Sequence, residues 1–224
     1  MYCDDKALMD KKRLLAFMPF FLLFIAGIVD VIGFLHLKNG LFVSFMSGNT
    51  THVGILLNEP NDPRVWYYIG VICFFIFGAL CGEMVALSAT PYYRCIIMLL
   101  VVLLLSVTVL ITYITPPIVT NLLLSFAMGI QNIALRITIK QATPLTFATG
   151  FLVNTGRSLA LWMMGRREDS DLKHSFFLWV AIFLGGITGV KAMAMPLNFA
   201  LMVPIFLSTF AVLMLYWTHE LPDT

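Results

Sequence analysis

Six apolar runs, each long enough to cross a bilayer, alternate along the chain with short polar segments: residues 14–37, 66–89, 95–115, 118–135, 175–195 and 197–217. About 20 apolar residues in a helix cover the hydrocarbon core of a membrane. Two further stretches behave differently. Residues 41–57, LFVSFMSGNTTHVGILL, and residues 146–164 begin apolar, turn small and polar, and become apolar again. Interrupted backbone at membrane depth is tolerated only where it is buried in protein or lines a wet cavity. Ser47 or Asn49 can cap a helix start there, and Gly48 can ease the bend. The pattern predicts an all-α integral membrane protein with about six transmembrane helices plus two broken or re-entrant elements.

The two broken stretches expose an internal repeat. Ser44-Phe45-Met46-Ser47-Gly48 matches Thr146-Phe147-Ala148-Thr149-Gly150 at an offset of 102, which also sets Gly27 on Gly129 and Asp30 on Asn132. Gly78-x3-Gly82 and Gly185-x3-Gly189 follow at an offset of 107, the extra residues falling in the polar loop around 166–173. The expected organisation is a cytoplasmic N-terminal tail (1–13), a first membrane repeat (14–115), a second (118–217) and a short C-terminal tail (218–224). If the broken elements dip in and return, each repeat has three spans and the second is inverted. Counting Lys and Arg favours that arrangement, with ten inside against two outside, where eight full crossings give eight against four.

Composition narrows the class further. The chain has 224 residues, 60% hydrophobic and 12% charged, with a mean hydropathy of +0.91; soluble domains carry about twice that charged fraction. The net charge of +2 is uninformative because the few charges are clustered. The N-terminal run has no convincing cleavage site and exceeds the apolar core of a signal peptide, so it reads as a retained helix with a cytoplasmic basic flank. Cys3, Cys73, Cys81 and Cys95 form no CxxC pair and have no histidine at metal spacing, so no disulfide, metal or cofactor is expected.

Candidate chemistry lies at the repeats' glycines. In the inverted arrangement the tips at Gly48 and Gly150 enter from opposite faces, and helix starts aim unpaired N–H groups at the protein centre. Many secondary transporters bind a solute between two such half-helices. The expected binding residues are Ser44, Ser47, Gly48, Asn49, Thr50, Gln131, Asn132, Thr149, Gly150 and Asn154. Asp30, on a face of small residues with Gly27 and Gly33, needs a partner at membrane depth, and Arg157 is the expected one. Glu83 and Lys191 are a second candidate pair, and His52 and Glu83 are candidates for a proton relay. Gly78-x3-Gly82 and Gly185-x3-Gly189 read as close helix contacts.

These residues also carry a resemblance. Gly27-x2-Asp30-x2-Gly33-Phe34, followed by Leu41-Phe42-Val43-Ser44-x-Met46-Ser47-Gly48-Asn49-Thr50, is similar to the first signature of the YoaK-like family, a bacterial membrane family of unknown function. Its second signature resembles Met128-Gly129-Ile130-Gln131-Asn132-x-Ala134, then Thr149-Gly150-x-Leu152-x-Asn154-x2-Arg157. Ser47 stands where that family usually has threonine, which keeps the hydroxyl. The resemblance covers nearly the whole chain and implies an inner-membrane protein of about six spans, but it supplies no substrate.

The functional expectation is a small secondary transporter or channel, without enzyme activity, for a small and by preference anionic solute. Two alternatives stay open: a membrane scaffold or assembly subunit without a solute, and an intramembrane hydrolase using Ser44 or Ser47 with His52 and Asp30. The expected surroundings are the inner membrane's lipid bilayer, both termini cytoplasmic, with no nucleic acid and with homo-oligomerisation left open.

Overall fold

A computed structural model describes residues 2–37, 40–59, 62–88, 91–138, 148–166 and 169–218. Within them lie eight helices: α1 (Tyr2–Leu37), α2 (Met46–Leu56), α3 (Arg64–Ala86), α4 (Tyr93–Ile111), α5 (Pro117–Thr138), α6 (Ala148–Met163), α7 (Asp169–Ala192) and α8 (Leu197–Thr218). Six of them, all but α2 and α6, are long and apolar enough to cross a membrane. At 1.5 Å per residue, the 11 residues of α2 and the 16 of α6 fall short of a bilayer's roughly 30 Å. The all-α membrane architecture expected from the apolar pattern is therefore the one observed. The segment expected as an N-terminal tail is helical: α1 continues without a break from Tyr2 to Leu37, with Pro19 accommodated inside it.

α1 and α5 form the centre. Of their apolar windows 61% is buried, against 17–39% in the other four spanning helices. Met18, Leu22, Ile25 and Ile28 of α1 meet Leu124 and Met128 of α5 within one apolar core. The remaining helices surround this pair in a repeating order. α1 packs on α7 and α8 as α5 packs on α3 and α4, and α2 lies on α3 as α6 lies on α7. Exchanging α1 with α5, α2 with α6, α3 with α7 and α4 with α8 returns the same set of contacts.

The correspondence extends to single glycines. A Cβ on Gly27 would strike the carbonyl oxygen of Ile182 and lie 3.1 Å from the Gly186 nitrogen. One on Gly129 would strike the carbonyl oxygen of Phe75 and lie 2.9 Å from the Ala79 nitrogen. Gly78 abuts the Phe126 carbonyl as Gly185 abuts that of Phe24. Gly82 reaches Ile130 as Gly189 reaches Ile28, with Cβ–Cα separations of 3.3 and 3.2 Å. Adding 102 to each α1 number and 107 to each α3 number converts one set into the other. The α1–α7 and α3–α5 crossings are thus the same backbone-to-backbone contact made twice, available only to glycine. Gly54 of α2 and Gly156 of α6, also 102 apart, both face open space.

Candidate functional site

The first broken element begins where Gly40, at φ 70°, turns the chain back after α1. A side chain would be strained in that left-handed conformation, so the turn requires glycine there. From it the chain runs back beside α1 to the start of α2 at Met46. Val43, fully buried, fits against Gly33, whose missing side chain leaves room for it. Asp30 Oδ1 accepts the N–H groups of Val43 and Ser44, at 2.9 and 2.8 Å. The Ser44 hydroxyl and the Phe45 N–H also approach this carboxylate. Seven residues from the end of α1, Asp30 lies about 10 Å along the helix from its C-terminal end. A second clamp comes from α2 itself. The Asn49 side chain accepts the Phe42 N–H at 3.1 Å and donates to the Phe42 carbonyl at 2.7 Å. The tip is therefore held by an aspartate on one side and an asparagine on the other.

This geometry corrects two expectations. The residue before α2 is Phe45, with φ −85°, and no side chain caps the helix. Ser47 and Asn49 fall inside the first turn, and Gly40 rather than Gly48 takes the positive-φ position. Ser44 and Ser47 play different parts: Ser44 is buried beside Asp30, whereas Ser47 is exposed.

A cavity of about 200 Å³ opens beside Asp30, lined by Ala26, Gly27, Asp30, Ser44, Phe45, Ala148 and Ile182. It places the first residue of α6 across from the loop that leads into α2, so both broken elements border one space. Sequence reasoning singled out Asp30 and Ser44 in this lining and missed Ala26, Phe45, Ala148 and Ile182. Small residues on the face of α1 around Gly27 were the available signal.

The other expected binding residues do not line this cavity. Thr50 spends its hydroxyl on the Met46 carbonyl at 2.9 Å. Gln131 donates to the Leu22 carbonyl at 2.8 Å and Asn132 to the Met128 carbonyl at 2.9 Å. Gly48 and Gly150 are half-buried, and Thr149 and Asn154 are exposed on α6. Thr146 and Phe147, which complete the second motif, lie outside the described residues.

Both expected ion pairs are corrected. Asp30 bonds to backbone amides, while Arg157 is exposed on α6 and forms no ion pair among the described residues. The reason is packing: among the described residues α6 touches only α7, through a face that buries Phe151 and Ser158, and never reaches α1. Glu83 and Lys191 sit on α3 and α7, which are not in contact, and Lys191 is exposed.

His52 neither faces Asp30 nor touches a serine hydroxyl. Its Nδ1–H donates to the Gly48 carbonyl at 3.0 Å, and its ring stacks on Tyr68 with centroids 5.1 Å apart. The Ser–His contact that an intramembrane hydrolase requires is not made among the described residues.

The family model described as a protein of unknown function, DUF1275, matches residues 18–214, which include both broken elements, four spans whole and most of the first and last. The chain belongs to the DUF1275 family. Among curated proteins, a UPF0700 transmembrane protein of Rhizobium meliloti is 31% identical over 181 residues, covering 81% of this chain and 77% of the relative. No solved structure matches. Membership of DUF1275 agrees with the resemblance carried by the two signatures, and together with the six spanning helices it makes this a multi-pass membrane protein.

Proposed function

We propose that this DUF1275 protein is a small secondary transporter of the bacterial inner membrane, with both termini cytoplasmic. The observation that carries this reading is the cavity shared by the two broken elements, with the Asp30 carboxylate in its wall. The duplicated α1–α7 and α3–α5 crossings support two units of opposite orientation, since three spans per unit reverse the second. Two equivalent halves can exchange conformations around a fixed site, opening it first to one face and then to the other.

The cavity supports a small solute. Its roughly 200 Å³ is several times the roughly 30 Å³ of one liquid water, so it has room for a small organic molecule. The sequence favoured an anion because of the positive helix ends together with Arg157. With Arg157 exposed and absent from the lining, and a carboxylate in the wall, the lining instead favours a neutral or cationic solute.

Thermal unfolding of the purified protein across a panel of small amines, neutral polar molecules and carboxylates tests this. A solute that binds the folded state raises the melting temperature with concentration. We expect an amine or neutral compound to stabilise the wild type and to fail with Ala148→Phe, which fills the cavity. A scaffold without a solute predicts identical responses in both proteins across the whole panel, and that result would overturn the transporter reading.

A further inference from the structure

We infer that Asp30 is a proton-binding latch: as a carboxylate it holds the tip of α2 closed against α1, and on binding one proton it releases that tip. The inference rests on the transporter reading for its purpose, but proton binding and tip release are measurable without any solute.

The latch has two fastenings on one oxygen, the N–H groups of Val43 and Ser44. Hydrogen bonds to an ionised acceptor are roughly twice as strong as those to a neutral one. The N-terminus of α2 lies next to the same carboxylate, and its partial positive charge favours the anion over the acid. A proton entering through the cavity adds to the carboxylate and leaves a neutral acid. Both N–H bonds weaken and the helix-end attraction disappears. Release to the opposite face regenerates the anion, and the tip closes again.

The surroundings select a proton over a metal cation. Hard cations are held by several oxygens at once, whereas Asp30 Oδ1 is met by N–H donors. Around it, α1 supplies Ala26 and Gly27, α6 Ala148, α7 Ile182 and the loop Ser44 and Phe45. None of these titrates. His52 is turned towards Tyr68 of α3, and the position on α5 equivalent to Asp30 is Asn132, an amide. Among the described residues lining this site Asp30 is therefore the one that titrates, which sets one proton per cycle.

Val43 reports the latch, being fully buried when the tip is closed. In a cysteine-free background in lipid nanodiscs, Val43→Cys is labelled with a polar maleimide across a pH series. Its rate is divided by that of Glu59→Cys, an exposed reference, to remove the pH dependence of thiol reactivity. We expect the ratio to rise several-fold as pH falls, and Asp30→Asn to hold it high at every pH. Over the same range the wild type should take up one proton more than Asp30→Asn. If Asp30→Asn fails to insert, Asp30→Glu serves instead, with a response that persists at a shifted midpoint. A ratio flat with pH in the wild type, the same pH response in Asp30→Asn, or a response that follows sodium rather than protons overturns the latch. If any of these appears while a solute still stabilises the protein, the latch fails and the transporter reading survives; the converse separates them the other way.

Discussion

Asn49 and Arg157 stand at opposite ends of what a polar residue does near a membrane. Asn49 is fully buried and satisfies both the N–H and the carbonyl of Phe42. Asn49→Leu keeps the branching of the side chain but orphans those two groups, at a cost of about 1–3 kcal/mol for an unsatisfied buried group. A drop in thermal stability of that order, followed by tryptophan fluorescence in detergent, is the expected result; an unchanged melting point would show that the clamp contributes nothing. Arg157 is exposed and has no ion-pair partner among the described residues. Arg157→Gln should therefore change stability by no more than about 0.5 kcal/mol in the same assay. A loss as large as that of Asn49→Leu would restore the Asp30–Arg157 bridge that the structure replaces with amide bonds.

At the scale of the helix, the two glycine crossings are the features that most constrain sequence. Gly78→Ala and Gly185→Ala each push a methyl into a carbonyl oxygen of the facing helix, Phe126 and Phe24 respectively. Overpacking of this kind costs about 1–3 kcal/mol, and the equivalence of the crossings predicts similar losses for the two variants. Gly54→Ala and Gly156→Ala meet nothing within 4 Å and replace a poor helix former, so both should be neutral or stabilising by up to about 1 kcal/mol. Unfolding in detergent mixtures ranks the four. Unequal losses at Gly78 and Gly185 would argue against two copies of one packing unit. Both short helices depend on this frame: α2 rests on α3, α6 on α7, and neither reaches across a bilayer alone.

For the molecule as a whole, the open question of greatest consequence is orientation. Six crossings with returning tips put the α2–α3 loop and the α6–α7 loop on opposite faces. Single cysteines at Glu59 and Arg166, both exposed, should then label from opposite sides of sealed vesicles, with Arg166→Cys reached from the cytoplasmic side. Labelling of both from one face would mean eight full crossings and two parallel halves. That arrangement is hard to reconcile with the 11 residues of α2.

Much of this was legible in one dimension. Hydrocarbon thickness converts directly into a count of apolar residues, so the six spans follow from composition and length alone. The repeat was legible too, because glycines at backbone contacts admit no substitute and hold their spacing: Gly27 with Gly129, Gly78 with Gly185. Partners were not. Asp30 signalled that it needed one, but a carboxylate is satisfied equally by a guanidinium or by backbone N–H groups, and sequence marks only the first. The amides of Val43 and Ser44 become available because Gly40 reverses the chain and Gly33 leaves room for Val43. Likewise, Asn49 and Thr50 looked like binding groups until the fold consumed them in bonds to Phe42 and Met46. The sequence by itself determined which segments enter the membrane, since burial in lipid depends on local apolar content. Only the tertiary structure decided which polar groups face one another there, since that depends on which helices touch.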